Sequence, residues 1–325
     1  MSTKTRLRAL FALLAALVLA LSVAACGDDD DEGDDGGDTS ATLIEENPDN
    51  NAIGITVGSK NFTEQFILGE VYAQALEAAG YDVSKDLNLG SEVIAKKALE
   101  QGEIDAYPEY TSTVLAVLYE VPVGDVPDDA QEAFDDASAE LEADGLVAYP
   151  PTPFESANAV GLLTQTAEEL GVSTVSDLEG KSQDLDLYGS PECRQRADCL
   201  VGLEEEYGLD FKSFTPVDIG LRYEVLDKGD ADLSILFTTD ANLFVSDKYT
   251  ILEDDQGVLP AGNVLFVATE EIVDEAGPDF GETVESVQEN LTLEVMQELN
   301  ARVEVDREKP EEAVRSYLEE FGYVE

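Results

Sequence analysis

The chain has 325 residues, with 72 acidic against 18 basic side chains for a formal charge of −54, and it contains no histidine, no tryptophan and three cysteines. So acidic a surface repels nucleic acid and anionic lipid headgroups, and the missing histidine removes Ser-His-Asp and Cys-His nucleophiles and every histidine metal site. With 43% hydrophobic residues it can bury a core, as one large domain or two of ordinary size.

At the N-terminus Lys4, Arg6 and Arg8 precede an apolar run from about Ala9 to Val23, the pattern of a secretory signal over residues 1–25. The run is short for a membrane-spanning helix. It ends in Val23-Ala24-Ala25-Cys26-Gly27, which resembles a bacterial lipobox and implies cleavage before Cys26 and lipidation of its thiol. An uncleaved anchor is the alternative. Residues 28–38 are almost all Asp, Glu and Gly, so they repel one another and lack anything to bury. Residues 26–51 therefore read as a lipid-bearing cysteine and a solvated tether, with a calcium-binding run as the alternative. The predicted location is the outer face of the cytoplasmic membrane.

Ile53, Ile55 and Val57 alternate as in a strand, and Ile67, Val71, Ala75 with Leu68, Tyr72, Leu76 share a helix face. Asn61 and Glu64, between them, have the spacing of a capping box. Lys60, Thr63 and free N–H groups would then meet at a helix N-terminus, a geometry suited to an anion. Ser91 reads as the N-cap of a helix through Gln101, Ile104 to Tyr107 as a strand, and Thr111 to Leu118 as a helix. Tyr149 to Phe154 carries Pro-Pro-Thr-Pro, a stiff extended crossing. A second set follows: strand Ala159–Leu163, a helix near Thr166–Leu170, strand Asp186–Tyr188, a helix near Leu200–Tyr207, helix Tyr223–Asp227 and strand Leu233–Phe237. Val258 to Asn263 reads as a return crossing, Val264 to Ala268 as a strand, and helices fill the rest to Tyr323. The alternation predicts an α/β fold with mostly parallel sheet. With Cys26 taken by lipid, Cys193 and Cys199 remain, either bridged or as free thiols; export permits the bridge, which would close a short loop around Arg194 and Arg196.

GSKNFTEQ (58–65) and GEIDAYPEYTST (102–113) together resemble the substrate-binding proteins of ABC importers for the osmoprotectants glycine betaine, carnitine and choline, and the resemblance runs from about Ile53 to the C-terminus. It implies a type II periplasmic-binding-protein fold, two α/β lobes joined by two crossover segments. Lobe 1 would be 52–153 plus 263–325 and lobe 2 154–262, with the ligand in the cleft between them. It further implies a monomeric receptor that is no enzyme, uses no cofactor, and works with a permease and an ATPase on other chains.

In that family a lysine, a threonine and an arginine hold the ligand carboxylate and four tyrosines cage its trimethylammonium, a cation with no N–H that aromatic faces hold by about 0.5–2 kcal/mol per ring. The matching residues are Lys60, Thr113 and Arg196, with Arg194 as competitor, and Tyr110 for the first cage tyrosine. The second cage position carries Asn158, the third Phe237, and the fourth, near Pro260, reads as Ala261. Gln65 is expected to face the cleft; Phe62, Glu192 and Tyr223 are further candidates. The altered cage predicts the same transport role with a small zwitterion or quaternary amine as ligand, Asn158 donating to a polar group. An amino-acid-like zwitterion is one alternative and an exported carboxylate-pair hydrolase a weaker one.

Overall fold

The computed structural model describes residues 43–325; the predicted signal, Cys26 and the run from Asp28 to Asp38 lie outside them. The strands are β1 (Gly54–Gly58), β2 (Asp82–Asp86), β3 (Ala106–Tyr110), β4 (Leu146–Ala148), β5 (Glu155–Ser156), β6 (Asn158–Leu163), β7 (Asp186–Gly189), β8 (Ser213–Pro216), β9 (Leu233–Phe237), β10 (Tyr249–Ile251) and β11 (Gly262–Thr269). They form two sheets, one in the order β2-β1-β3-β11-β4 with β5 added on β11, the other β10-β6-β9-β7-β8.

Neither sheet is mostly parallel. Parallel pairing is confined to β2-β1-β3 and to β9-β7-β8, while β11 runs antiparallel to β3, β4 and β5, and β6 antiparallel to β9 and β10. The cause is the route of the chain. β6 and β11 are the strands by which it passes from one sheet to the other. β6 begins at Asn158, opposite Phe237 where β9 ends, and β11 begins beside Tyr110 where β3 ends. Each crossing strand thus enters at the carboxyl ends of the parallel strands and must run against them. Ligand sites in α/β sheets gather at such ends.

Period-2 alternation explains the first sheet's burial on both faces. Val264, Phe266 and Ala268 of β11 join one core with Val57, Ile67 and Val71, whereas Leu265 and Val267 join another with Leu99, Ile104, Tyr107 and Leu115. Tyr72 stacks on Phe266 at 4.1 Å between ring centroids, a pair worth about 0.5–1.5 kcal/mol beyond its buried area. In the second sheet Val160, Leu162, Leu187, Leu233 and Ile235 pack with Leu203 and the Cys193–Cys199 disulfide.

The helix α1 (Thr63–Ala78) follows β1, and α2 (Glu92–Glu100) follows β2. Gly80 (φ +98) turns the chain after α1; a Cβ there would lie 2.6 Å from the Asn47 carbonyl oxygen. That closeness reflects a departure from the expected tether. Residues 43–51 are docked: Ile44 N–H donates to the Tyr323 carbonyl at 2.9 Å, and buried Asn50 donates through Nδ2 to the Ala79 carbonyl at 2.9 Å. Residues 111–118 are one α-turn running into a π-turn rather than a regular helix, and Ser91 precedes α2 without a side-chain cap.

The two crossings lie side by side. Asn263 Nδ2 donates to the carbonyls of Thr152 at 2.9 Å and Phe154 at 3.1 Å, and Val264 N–H donates to Thr152 Oγ1 at 3.0 Å. Later elements used below are α3 (Arg222–Lys228) and α4 (Leu293–Glu304). No helix among the described residues is long and apolar enough to cross a membrane.

Candidate functional site

The turn from β1 to α1 buries Lys60, whose Nζ pairs with Glu109 and stands 4.5 Å from the Tyr110 ring centroid and 5.8 Å from that of Phe62. Glu109 is wholly buried near the end of β3, and its Oε1 also accepts the Tyr110 N–H at 2.9 Å. Burial pushes its carboxyl up; the Lys60 charge opposes this. Gln65 does not face the cleft. It is fully buried and its Oε1 accepts the Lys60 N–H at 3.2 Å, bracing the turn from behind.

The expected capping box is absent. Phe62, with extended backbone, holds the N-cap position of α1 without a side-chain bond, and Asn61 is exposed. Glu64 is drawn inward instead, accepting the Tyr110 hydroxyl at 2.7 Å and Asn300 Nδ2 at 2.8 Å. Burial raises its pKa. Its role is to fix the tyrosine ring, which a local sequence pattern cannot reveal.

Across the cleft, the disulfide fixes the loop that aims two arginines apart. Arg194 is exposed, lies over Phe214 at 4.9 Å and donates to the Phe214 carbonyl. Arg196 turns inward and is gripped by Asp198, Nε to Oδ1 at 2.7 Å and Nη2 to Oδ2 at 2.5 Å, with Nη1 at 3.4 Å from Glu92 at the start of α2. Burial works against its charge, but Asp198, Glu92 and Glu109 outweigh it and raise the pKa, so the guanidinium stays charged. Asn158 Nδ2 donates to the Asp198 carbonyl at 2.9 Å.

Beside them, Arg222 at the start of α3 lies with Cζ 4.0 Å from the Phe237 ring centroid. It donates from Nε to the Ile219 carbonyl and from Nη2 to Asp240 Oδ1, each at 2.8 Å. Tyr223 faces away, its hydroxyl on Asp240 Oδ2 at 2.9 Å and its ring against Tyr249. Phe62 lies 6.4 Å from Tyr110, stacked with its plane within 17° of parallel, and 5.1 Å from Phe237.

Among these groups lies a cleft of about 820 Å³, its open mouth included. Of the residues predicted from sequence, Lys60, Tyr110, Thr113, Asn158, Arg196 and Phe237 line it, as do Phe62 and Glu192; Gln65, Arg194 and Tyr223 do not. Pro260 lines it and Ala261 does not. Glu92, Asp198 and Arg222 line it unforeseen. The spacing of Arg196 and Asp198, two apart, was the one local signal for any of them. Gly262 opens β11 at the cleft edge, where a Cβ would come within 2.7 Å of Ser112 N, so the crossing strand approaches that turn closer than any side chain permits. No cluster of three or more possible metal-ligating side chains occurs among the described residues.

What the arrangement can do is hold a small charged solute between rings and ion pairs. A family profile described as the substrate binding domain of ABC-type glycine betaine transport system matches residues 54–320. The chain is 33% identical over 277 residues to a glycine-betaine-binding protein of Pseudomonas aeruginosa, covering 82% of this chain and 87% of that one. It is 28% identical over 281 residues to the ergothioneine transport permease/ergothioneine binding protein EgtU of Helicobacter pylori, covering 86% of this chain and 48% of that one. The fold matches a crystal structure of a glycine betaine/carnitine/choline ABC transporter with a TM-score of 0.66 at 24% identity, over 83% of this chain and 99% of that one. The chain belongs to the family of substrate-binding domains of ABC-type glycine betaine transport systems.

Proposed function

We propose that this chain is a receptor anchored by lipid on Cys26, acting as a monomer that captures a small quaternary-amine zwitterion of the glycine betaine class and hands it to a membrane permease driven by a separate ATPase. Residues 52–153 with 263–325, and 154–262, would be the lobes that close on the ligand, which stabilises the closed state by its preference for it. The observation that carries the ligand class is the row of rings Tyr110, Phe62 and Phe237 along a cleft that also holds charged donors. Rings suit a cation that has no hydrogen to donate; the charged donors suit a carboxylate.

A second reading has its own support. Asp198 and Glu92 put acceptor oxygens in the cleft, which favours a trimethylammonium zwitterion that also carries N–H groups, and the Helicobacter pylori relative is an ergothioneine binding protein. A thermal-shift series with glycine betaine, carnitine, choline, ergothioneine, ectoine and free amino acids separates the two. A true ligand at about a hundred times its dissociation constant adds about 2.7 kcal/mol of stability. Stabilisation by an amino acid, and by none of the quaternary amines, would refute both.

A further inference from the structure

Glu109 is a carboxylate on an inner strand with no exposure at all. β3 lies between β1 and β11, and Glu109 stands opposite Leu265 of β11. By the two-residue period it shares a face with Tyr107, the face on which Leu99, Ile104, Leu115 and Leu265 pack. A charge in such surroundings persists only with a counter-ion. Burial pushes the Glu109 carboxyl up, and the Lys60 charge is the main effect opposing it. The other charged or titratable groups around it are Glu92 from α2, Arg196 from the disulfide loop and Tyr107 from its own strand. None can replace Lys60, because Arg196 is engaged by Asp198 and Glu92, and Glu92 and Tyr107 bring no positive charge.

The dependence is mutual. Lys60 is 4% exposed, so its ammonium also needs a partner. Its backbone is fixed from two sides: its N–H donates to Gln65 Oε1 at 3.2 Å, and its carbonyl accepts Ser59 Oγ at 3.1 Å. An ammonium has three N–H donors. Glu109 takes one of them, and Lys60 lines the cleft whereas Glu109 does not. Glu109 therefore stands behind the cleft wall, and the remaining donors can serve a ligand oxygen.

We infer that Glu109 is a positioning residue for carboxylate recognition: without touching the ligand, it keeps the Lys60 ammonium charged and aimed at the cleft. Its carboxylate sits on a strand held on both sides, so Lys60 is recruited with little loss of side-chain freedom when a ligand arrives. This rests on the function proposed above.

The experiment is isothermal titration of the chain and its Glu109→Gln variant at pH 6, 7.5 and 9, with glycine betaine, which has a carboxylate, and choline, which has none. An enclosed ammonium deprived of its counter-ion gives up its proton as pH rises. The expected result is that Glu109→Gln weakens glycine betaine relative to the parent by a factor that grows with pH, to about tenfold or more at pH 9, and leaves choline within about twofold throughout. An equal loss for both probes with no trend in pH shows that Glu109 only supports the fold, and overturns the inference. So does tighter binding of glycine betaine by the variant, which would make Glu109 a competitor for Lys60, and so does no change. If the parent binds glycine betaine but not choline, the pH trend alone decides. If it binds choline but not glycine betaine, the inference fails while a quaternary-amine receptor stands; if it binds neither, the proposed function fails and the inference with it. Should Glu109→Gln not fold, a crystal structure of the unsubstituted chain with glycine betaine decides. Lys60 Nζ within ~3.2 Å of both Glu109 and a ligand carboxylate oxygen supports the inference, and a Lys60 that meets the ligand only after leaving Glu109, or not at all, sinks it.

Discussion

Asp198 takes both forward donors of Arg196, Nε at 2.7 Å and Nη2 at 2.5 Å. The guanidinium that motif comparison assigns to the ligand is therefore satisfied from within the chain, by a residue two positions along. Asp198→Asn should free it. A charge-assisted bond to a ligand carboxylate then becomes available, worth about 1.5–3 kcal/mol before competition from Glu92, so glycine betaine affinity is expected to rise by about tenfold. Calorimetry giving the same affinity in the variant would show that Asp198 does not compete with ligand.

The rings make a separate claim. Phe62→Ala removes the ring common to both pairs while leaving Tyr110 held by Glu64. The expected loss for any trimethylammonium ligand is about 0.5–2 kcal/mol, with little change for a carboxylate lacking the cation, such as acetate. Fluorescence or calorimetric titration with both reads the difference directly.

What could be read in advance depended on whether a residue's role was local. Lys60, Tyr110 and Phe237 sit at strand ends, and an apolar strand that stops at a motif announces its own end. Asp198 acts on Arg196 two positions along, whereas Glu92 and Arg222 act through partners brought near by folding. Glu92 meets Arg196 across the cleft from a different sheet's half, and no pattern within α2 marks it. Strand β2 was missed because it is an edge strand, Asp-Val-Ser-Lys-Asp, with little buried on either face and so no apolar alternation to detect. The capping box failed for the opposite reason. Its spacing was right, but the buried pull of Tyr110 and Asn300 on Glu64 outcompetes a bond at the helix end. The sheets differ from the parallel expectation because alternation of strands and helices says nothing about the strand that returns from elsewhere.

Reducing the Cys193–Cys199 bridge tests the loop that orients Arg196. Replacing both by Ser removes a short closed loop, for which chain-entropy reasoning gives about 2 kcal/mol. Urea denaturation should report a loss of that order. Ligand affinity should fall as well, because Arg196 and Asp198 sit within or beside the loop; a purely structural bridge would change the first measurement and not the second.

Acidity is built into the contact between α4 and the start of α1. Glu304 is pushed up to about 7 from an ordinary 4.5, first by burial and then by the Asp240 charge, with Arg222 and Thr63 opposing. The folded chain therefore holds this proton where the unfolded chain has lost it. Below about pH 4.5 both forms are protonated and the group is silent. Between 4.5 and 7 stability falls as pH rises, and above 7 the whole penalty is present. Glu304→Gln should raise the melting temperature at pH 8, by the equivalent of about 1 kcal/mol after allowance for solvent screening, and leave it unchanged at pH 4. Glu298, also raised to about 7 by burial, would keep a residual slope in that profile. A parallel profile for variant and parent would refute the role of Glu304.

Asn300 offers a mechanical test. Its Nδ2 donates both to Glu64 and to the Thr239 carbonyl at 3.1 Å, so α4 ties the start of α1 to the segment after β9 at one atom. Asn300→Ala leaves two buried acceptors without that donor, an expected loss of about 1–3 kcal/mol, measured by chemical denaturation.

Asn263 rivets the outgoing and returning linkers to each other through two carbonyls. Past that rivet only a few peptide units, around Ala157 on one side and Ala261 on the other, are left to bend. For the closure proposed above, so short a pivot would favour swinging like a book cover over twisting or sliding.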